Sequence, residues 1–293
     1  MIRKSDQVRI ESVQCISPDG LHRMAYKDWG EVDNPDVVIC VHGLARVSDD
    51  FDVLARELSK EFRVVCPDVV GRGRSGWLRN PQYYQVQQYV ADMITLVARL
   101  KADKISYVGT SMGGMIGMAL ASLKGNPIQR MVLNDIGPSL NVTALARIAQ
   151  YVSQPMRFVS FDEAAHFIRS VSQTFGEHSE DEWHKFCTDV LKQDKDGMWI
   201  RHYDLKIGMS MQAITPDLAK AMEVMMWAAY DAINCPTLVL RGAVSDLLTA
   251  ETAIEMTRRG PRAKLIEFEN VGHAPTLVHD DQIAPIKEFL SLH

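Results

Sequence analysis

Short apolar runs rich in valine and isoleucine alternate along this chain with stretches whose apolar residues recur at helical spacing. "DVVICVHG" (36–43) is a continuous β-branched run, the pattern of a strand covered on both faces. "SDDFDVLARELSKE" then predicts a helix, "FRVVCPDVV" a strand, and "YYQVQQYVADMITLVARL" (83–100) a longer amphipathic helix. "KISYVGT" predicts the next strand, "MGGMIGMALASLKG" a helix and "IQRMVLNDIGP" a strand. Near the C-terminus "PTLVLRG" (236–242) and "AKLIEFEN" (263–270) resume the strand pattern, each followed by a helix. Buried strands separated by amphipathic helices predict an α/β fold with a mostly parallel central sheet flanked by helices. The two opening segments, "VRIESVQCISPDG" and "LHRMAYKDWG", alternate polar and apolar residues around a Pro-Asp-Gly turn and predict a leading hairpin.

The βα alternation stops between about 139 and 232. "ALARIAQYVS", "FDEAAHFIRSV", "EDEWHKFCTDVLKQ" and "PDLAKAMEVMMWAAY" carry helical patterns there, with little that resembles a core strand. The pattern is too rich in helix signals for a linker. Residues 1–138 and 233–293 are therefore expected to form the core domain, with 139–232 inserted between two core strands as a helical cap.

Composition narrows the function classes. A net charge of −5 without any Lys/Arg run argues against nucleic acid, and the apolar runs are too short for a membrane span. "MIRKSDQVRIES" has early positive charges but no apolar stretch behind them, so a signal peptide is not expected. Cys15, Cys40, Cys66, Cys187 and Cys235 are odd in number, widely spread and without a C-x-x-C pair, which argues against a disulfide framework or a zinc site. Buried reduced thiols in a cytoplasmic protein are the expectation. The oligomeric state is left open, a homodimer included.

One short stretch carries the chemistry. Gly109-Thr110-Ser111-Met112-Gly113 matches G-x-S-x-G and stands between a predicted strand and a predicted helix, where the motif forms a tight turn displaying a serine hydroxyl. The helix start supplies free N–H groups beside a developing oxyanion. A serine nucleophile needs a base and the base an orienting acid. His273 in "NVGHAP" and Asp246 in "LRGAVSDLLT" lie in loops beyond the last two strand-like runs, giving the chain order Ser-Asp-His. Asp135, at the end of "VLND", is the rival acid. "CVHGLAR" (40–46) ends an earlier strand, and the Leu44 amide there can face the Met112 amide as an oxyanion hole.

With "VHGL", "PDVVGRGRSG", "VGTSMGG", "RGAVSDLL" and "VGHAP" in this order, the chain resembles the α/β-hydrolase-fold serine hydrolases that carry a helical cap. The resemblance covers nearly the whole length. It implies Ser111 as nucleophile, His273 as base, Asp246 as acid, backbone donors from Leu44 and Met112, and no metal or other cofactor. Serine rather than aspartate at 111 sets aside the epoxide hydrolases and haloalkane dehalogenases of this fold. The single glycine of "HGLAR" departs from the glycine-rich oxyanion loop of many lipases.

Other polar residues have simpler readings. His42 is expected to hold the oxyanion loop, and Asp68 to brace its own loop with Arg72 or Arg74. His22, His166, His178, His184, His202, His279 and His293 are treated as surface or packing, with His202 the one to check against the pocket. Arg46 can meet a substrate carboxylate or pair with Asp49 or Asp50. The methionines and aromatics of "GMW", "GMSMQ" and "MEVMMWAAY" offer a soft apolar roof, with Trp199, Met209 and Met226 as candidate substrate contacts. The expected activity is hydrolysis of a carboxylic ester or lactone of a small, partly apolar substrate. Cleavage of a carbon–carbon bond in a ring-cleavage diketone, and a ligand receptor on a hydrolase fold, are the alternatives.

Overall fold

The continuous apolar run at Val37–Val41 forms β3, every residue of which is buried. Successive side chains of a strand point to opposite faces. Accordingly Val37, Ile39 and Val41 enter one hydrophobic core, while Val38 and Cys40 enter a second on the other side of the sheet. The computed structural model describes residues 8–139, 141–209 and 215–292.

The opening hairpin pairs β1 (Arg9–Ser17) with β2 (Gly20–Trp29) antiparallel, closed by the two residues between Ser17 and Gly20. β4 (Arg63–Pro67) lies antiparallel to β2 and parallel to β3. β5 (Ile105–Thr110), β6 (Ile128–Asn134), β9 (Thr237–Gly242) and β10 (Lys264–Phe268) continue the parallel sheet, in the order β1-β2-β4-β3-β5-β6-β9-β10. Helices cover both faces, as buried parallel strands require. α2 (Val86–Leu100) and α3 (Met112–Ala121) pack Met93, Leu96 and Ile116 into one core, joined by Met256 of α8 (Ala250–Met256). α1 (Asp52–Leu58) and α9 (Asp280–Ser291) close the other with Leu54, Leu58, Ile283 and Ile286. The five thiols are free, four of them buried and Cys235 partly so.

Among the described residues, the chain between β6 and β9 adds no strand to this sheet. It holds α4 (Val142–Val152), α5 (Phe161–Val171), α6 (Glu180–Val190) and α7 (Pro216–Asp231), plus a ribbon of β7 (Leu191–Gln193) and β8 (Trp199–Arg201) that helical periodicity does not signal. The helix starts are written in the sequence. Asn141 caps α4, Ser160 caps α5, Thr215 caps α7 before a proline, and Ser179 with Glu182 forms a capping box on α6. His293 and Met211 lie outside the described residues.

Candidate active site

The turn from β5 into α3 is built by what its glycines lack. A Cβ on Gly113 would stand 2.0 Å from the Val41 carbonyl oxygen, and one on Gly109 2.6 Å from the Gly113 carbonyl carbon. Only glycine lets these backbones approach so closely. The compression holds Ser111 at φ 52° and ψ −117°, a conformation that costs a side-chain-bearing residue about 1–3 kcal/mol. Its hydroxyl is thereby displayed at the C-terminal edge of the sheet, half-buried on a cavity wall.

His273, in the loop after β10, meets Ser111 through Nε2 at 2.8 Å from Oγ. Its Nδ1 lies 2.7 Å from Oδ2 of Asp135. Asp135 is fully buried just beyond β6, and its carboxylate also accepts from the Gly242 amide at 2.9 Å and the Ser245 hydroxyl at 2.5 Å. Those donors fix the carboxylate, so the remaining lone pair takes Nδ1–H. Nε2 is then left as the acceptor for the Ser111 hydroxyl.

Asp246 is a correction to the sequence reading. The structure turns its carboxylate outward to Arg147 of α4, with 3.1 Å from Nη2 to Oδ1 and a second bond from Nη1 to Oδ2. That hydrogen bond and charge hold its carboxyl below the usual carboxylate range. The "VSDLL" segment instead reaches the histidine's partner through Ser245. Asp135 has the advantage of place, because β6 is the immediate neighbour of β5, whose end carries Ser111.

The Leu44 and Met112 amides have no hydrogen-bond partner among the described residues. Two buried groups fix the loops that carry them. His42 is fully buried, its Nδ1 2.7 Å from the Gly43 carbonyl and its Nε2 accepting from the Val69 amide at 2.9 Å. That assigns Nδ1–H as the donor, and burial pushes the imidazole below its ordinary range, keeping it neutral. Arg72, also fully buried, donates to the Leu44 carbonyl at 2.9 Å and to Met112 Sδ at 3.4 Å, so one guanidinium touches both residues expected from the sequence to supply the oxyanion hole. No motif in the sequence announces this role. A charged side chain in the glycine-rich "GRGRSG" loop was its only signal. Asp68 is braced by the Ser48 and Arg74 amides, with the Arg74 guanidinium at 3.7 Å.

Above Ser111 is a cavity of about 390 Å³, walled by the loops after β3 and β10 and by α4, α5 and α6. Phe51, Tyr151, Phe175, Phe186 and Tyr203 are aromatic residues of its lining. Arg46 lines it too, held by Asp50 in a two-pronged pair of 2.8 and 2.6 Å, with its guanidinium carbon 4.8 Å from the Phe186 ring. The other expected contacts are corrected. Trp199 packs edge-on against Phe161 at 5.1 Å, half-buried against the small apolar cluster of α5 and α6. Met226 packs against the main core, Met209 is exposed, and neither they nor His202 line the cavity.

A half-buried serine, a histidine and a buried aspartate thus stand in hydrogen-bond series at the C-terminal edge of a sheet that helices cover on both faces. The chain belongs to the alpha/beta hydrolase fold family, whose model matches residues 36–280, and it is an enzyme of that family. It is 46% identical over 286 residues to the 3-hydroxybutyrate-oligomer hydrolase of Cupriavidus necator, covering 97% of this chain and 98% of the relative. Lipase 1 of Psychrobacter immobilis is 24% identical over 284 residues, covering 96% of this chain and 84% of that protein. The crystal structure of an alpha/beta hydrolase from Novosphingobium aromaticivorans superposes with a TM-score of 0.84 and 33% identity over 96% of this chain and 98% of that one. No helix among the described residues is long and apolar enough to cross a membrane.

Proposed function

We propose that the protein hydrolyses the ester bonds of short linear 3-hydroxybutyrate oligomers through an acyl-serine intermediate. The observation that carries the mechanism is the unbroken series from Ser111 Oγ through His273 to Asp135, at 2.8 and 2.7 Å. The substrate class is supported by similarity, over 97% of this chain, to a 3-hydroxybutyrate-oligomer hydrolase. The size of the cavity agrees with it, falling in the range of small-molecule sites.

In the first step Ser111 Oγ bonds to the ester carbonyl carbon as its proton passes to His273 Nε2. The carbonyl oxygen becomes an oxyanion facing the Leu44 and Met112 amides. Its collapse breaks the carbon–oxygen bond to the alcohol, which leaves with the Nε2 proton. Water then gives a proton to Nε2 and attacks the acyl carbon. Ser111 departs, recovers that proton, and the acid is released. Asp135 stays ionised throughout, holding the tautomer and balancing the imidazolium.

The test is hydrolysis of the linear 3-hydroxybutyrate trimer by the wild type and by Ser111→Ala. Monomer and dimer should appear with the wild type and fall to background in the variant. Equal activity in the two proteins, or none in the wild type, would overturn the proposal.

A further inference from the structure

Three arginines reach the cavity, and two are already neutralised. Arg46 is paired with Asp50 and Arg147 with Asp246. Arg201, at the end of β8, lines the same cavity, is only 5% exposed, and has no ion-pair partner among the described residues. Its Nη1 donates to the Tyr151 carbonyl at 2.5 Å and to the Tyr203 hydroxyl. Among the described residues its Nη2 finds only the Met156 thioether at 2.8 Å, a weak acceptor, and its buried Nε has no partner. The guanidinium carbon lies 5.6 Å from the centres of the Tyr151, Phe167 and Tyr203 rings.

A guanidinium is charged at every accessible pH, and burying one without a counter-charge is costly. Tying α4 to β8 uses only Nη1. The edge left without an oxygen acceptor among the described residues is the Nε/Nη2 edge, with Nε closed from solvent and the Met156 thioether against Nη2. A guanidinium takes a carboxylate through that edge by two parallel hydrogen bonds once the flexible thioether gives way. The position is also fixed in advance. The neighbouring residues are stitched to the core by Gly73 N–H to the His202 carbonyl at 2.9 Å, Asp204 N–H to the Gly71 carbonyl at 2.8 Å, and Tyr84 O–H to Asp204 Oδ2 at 2.8 Å.

We infer that Arg201 is a carboxylate-anchoring residue, which makes the cavity selective for ester chains that end in a free acid. The inference takes its substrate from the ester-hydrolase reading above. A linear hydroxyacid oligomer carries one such carboxylate, and its methyl ester carries none.

The experiment is calorimetric titration of Ser111→Ala, which cannot consume the ligand, with the linear 3-hydroxybutyrate trimer as free acid and as methyl ester. The free acid should bind at least 10-fold more tightly, and adding Arg201→Gln should abolish that preference, bringing the ratio of the two affinities within the variant to less than about threefold. Equal affinity for the two ligands in Ser111→Ala overturns the inference. So does a preference that survives Arg201→Gln, which would hand the carboxylate to Arg46 or Arg147. Should Arg201→Gln fail to fold, Arg201→Lys decides, since it keeps the charge but loses the fork. A preference reduced at least threefold there supports the anchor, and an unchanged one overturns it. Wild-type hydrolysis of both trimers separates the two ideas. Cleavage with no acid preference in binding removes the anchor alone, while Arg201-dependent binding without cleavage removes the esterase reading alone.

Discussion

The Nδ1 atom of His273 lies 2.7 Å from Oδ2 of Asp135, although 138 residues separate them in sequence. The distance is short because the sheet places β6 beside β5, and the loop after β10 folds back over both strand ends. Asp135 carries three donors on two oxygens in a fully buried site. A carboxylate so satisfied has little freedom to rotate, and the histidine inherits that rigidity.

Arg72 is expected to act on rate rather than on binding. Arg72→Met removes the bond to the Leu44 carbonyl and the contact with Met112, and so loosens the two amides proposed to hold the oxyanion. Misplacing such donors should lower kcat by up to about 10²-fold with KM little changed. Stability should drop as well, by roughly 1–3 kcal/mol, because the Leu44 and Val70 carbonyls lose their partner. Steady-state kinetics at a temperature where circular dichroism shows the variant folded checks this. An unchanged kcat would remove Arg72 from the account.

Gly113→Ala should be among the most damaging single-methyl changes in the chain. The added carbon meets the Val41 carbonyl of a central strand at 2.0 Å, and that backbone cannot yield without breaking the β3–β5 pairing. A loss of about 3 kcal/mol or more is expected in urea denaturation. A loss under about 0.5 kcal/mol would mean that the turn is far less constrained than its geometry implies.

Asp189, on α6, gives the protein a pH-dependent cost. Burial raises its carboxyl to about 6, against 3.8 for the ordinary group, although Lys185 donates to it at 2.7 Å. Between those two values the folded state binds more protons than the unfolded one, so this residue makes stability fall as pH rises from about 4 to 6. Asp189→Asn should therefore gain stability relative to the wild type between pH 4 and pH 7, by roughly 2 kcal/mol. Denaturant titrations at the two pH values measure it. A stability difference that does not change with pH would show that Asp189 titrates normally in the fold.

Much of this was legible beforehand, for identifiable reasons. Glycine at 109 and 113 is a steric demand of the turn itself, so the motif announces its own geometry. The buried strands declare themselves because both faces are apolar. The acid was different. Asp135 and Asp246 each follow a core strand, and nothing in their spacing says which carboxyl turns inward and which reaches out to α4. Sheet adjacency decided it, together with an arginine on a helix whose packing direction periodicity does not encode. The cavity lining was hidden for a related reason. Trp199 and Met226 belong to apolar helix and ribbon faces, but an apolar pattern does not distinguish a core from a cavity wall. Arg201 was missed because it matters for the partner it lacks.

The central claim is that Ser111 is activated through His273 by Asp135, and the most direct test compares kcat on the 3-hydroxybutyrate trimer for the wild type, Asp135→Asn and Asp246→Asn. An amide at 135 presents a donor to Nδ1 and selects the wrong tautomer, so kcat should fall by about 10⁴-fold in a protein that still folds. Asp246→Asn breaks only an exposed ion pair with Arg147 and should stay within a few-fold of the wild type, with a stability change under about 1 kcal/mol. The reverse ranking, with Asp135→Asn active and Asp246→Asn crippled, would contradict the account.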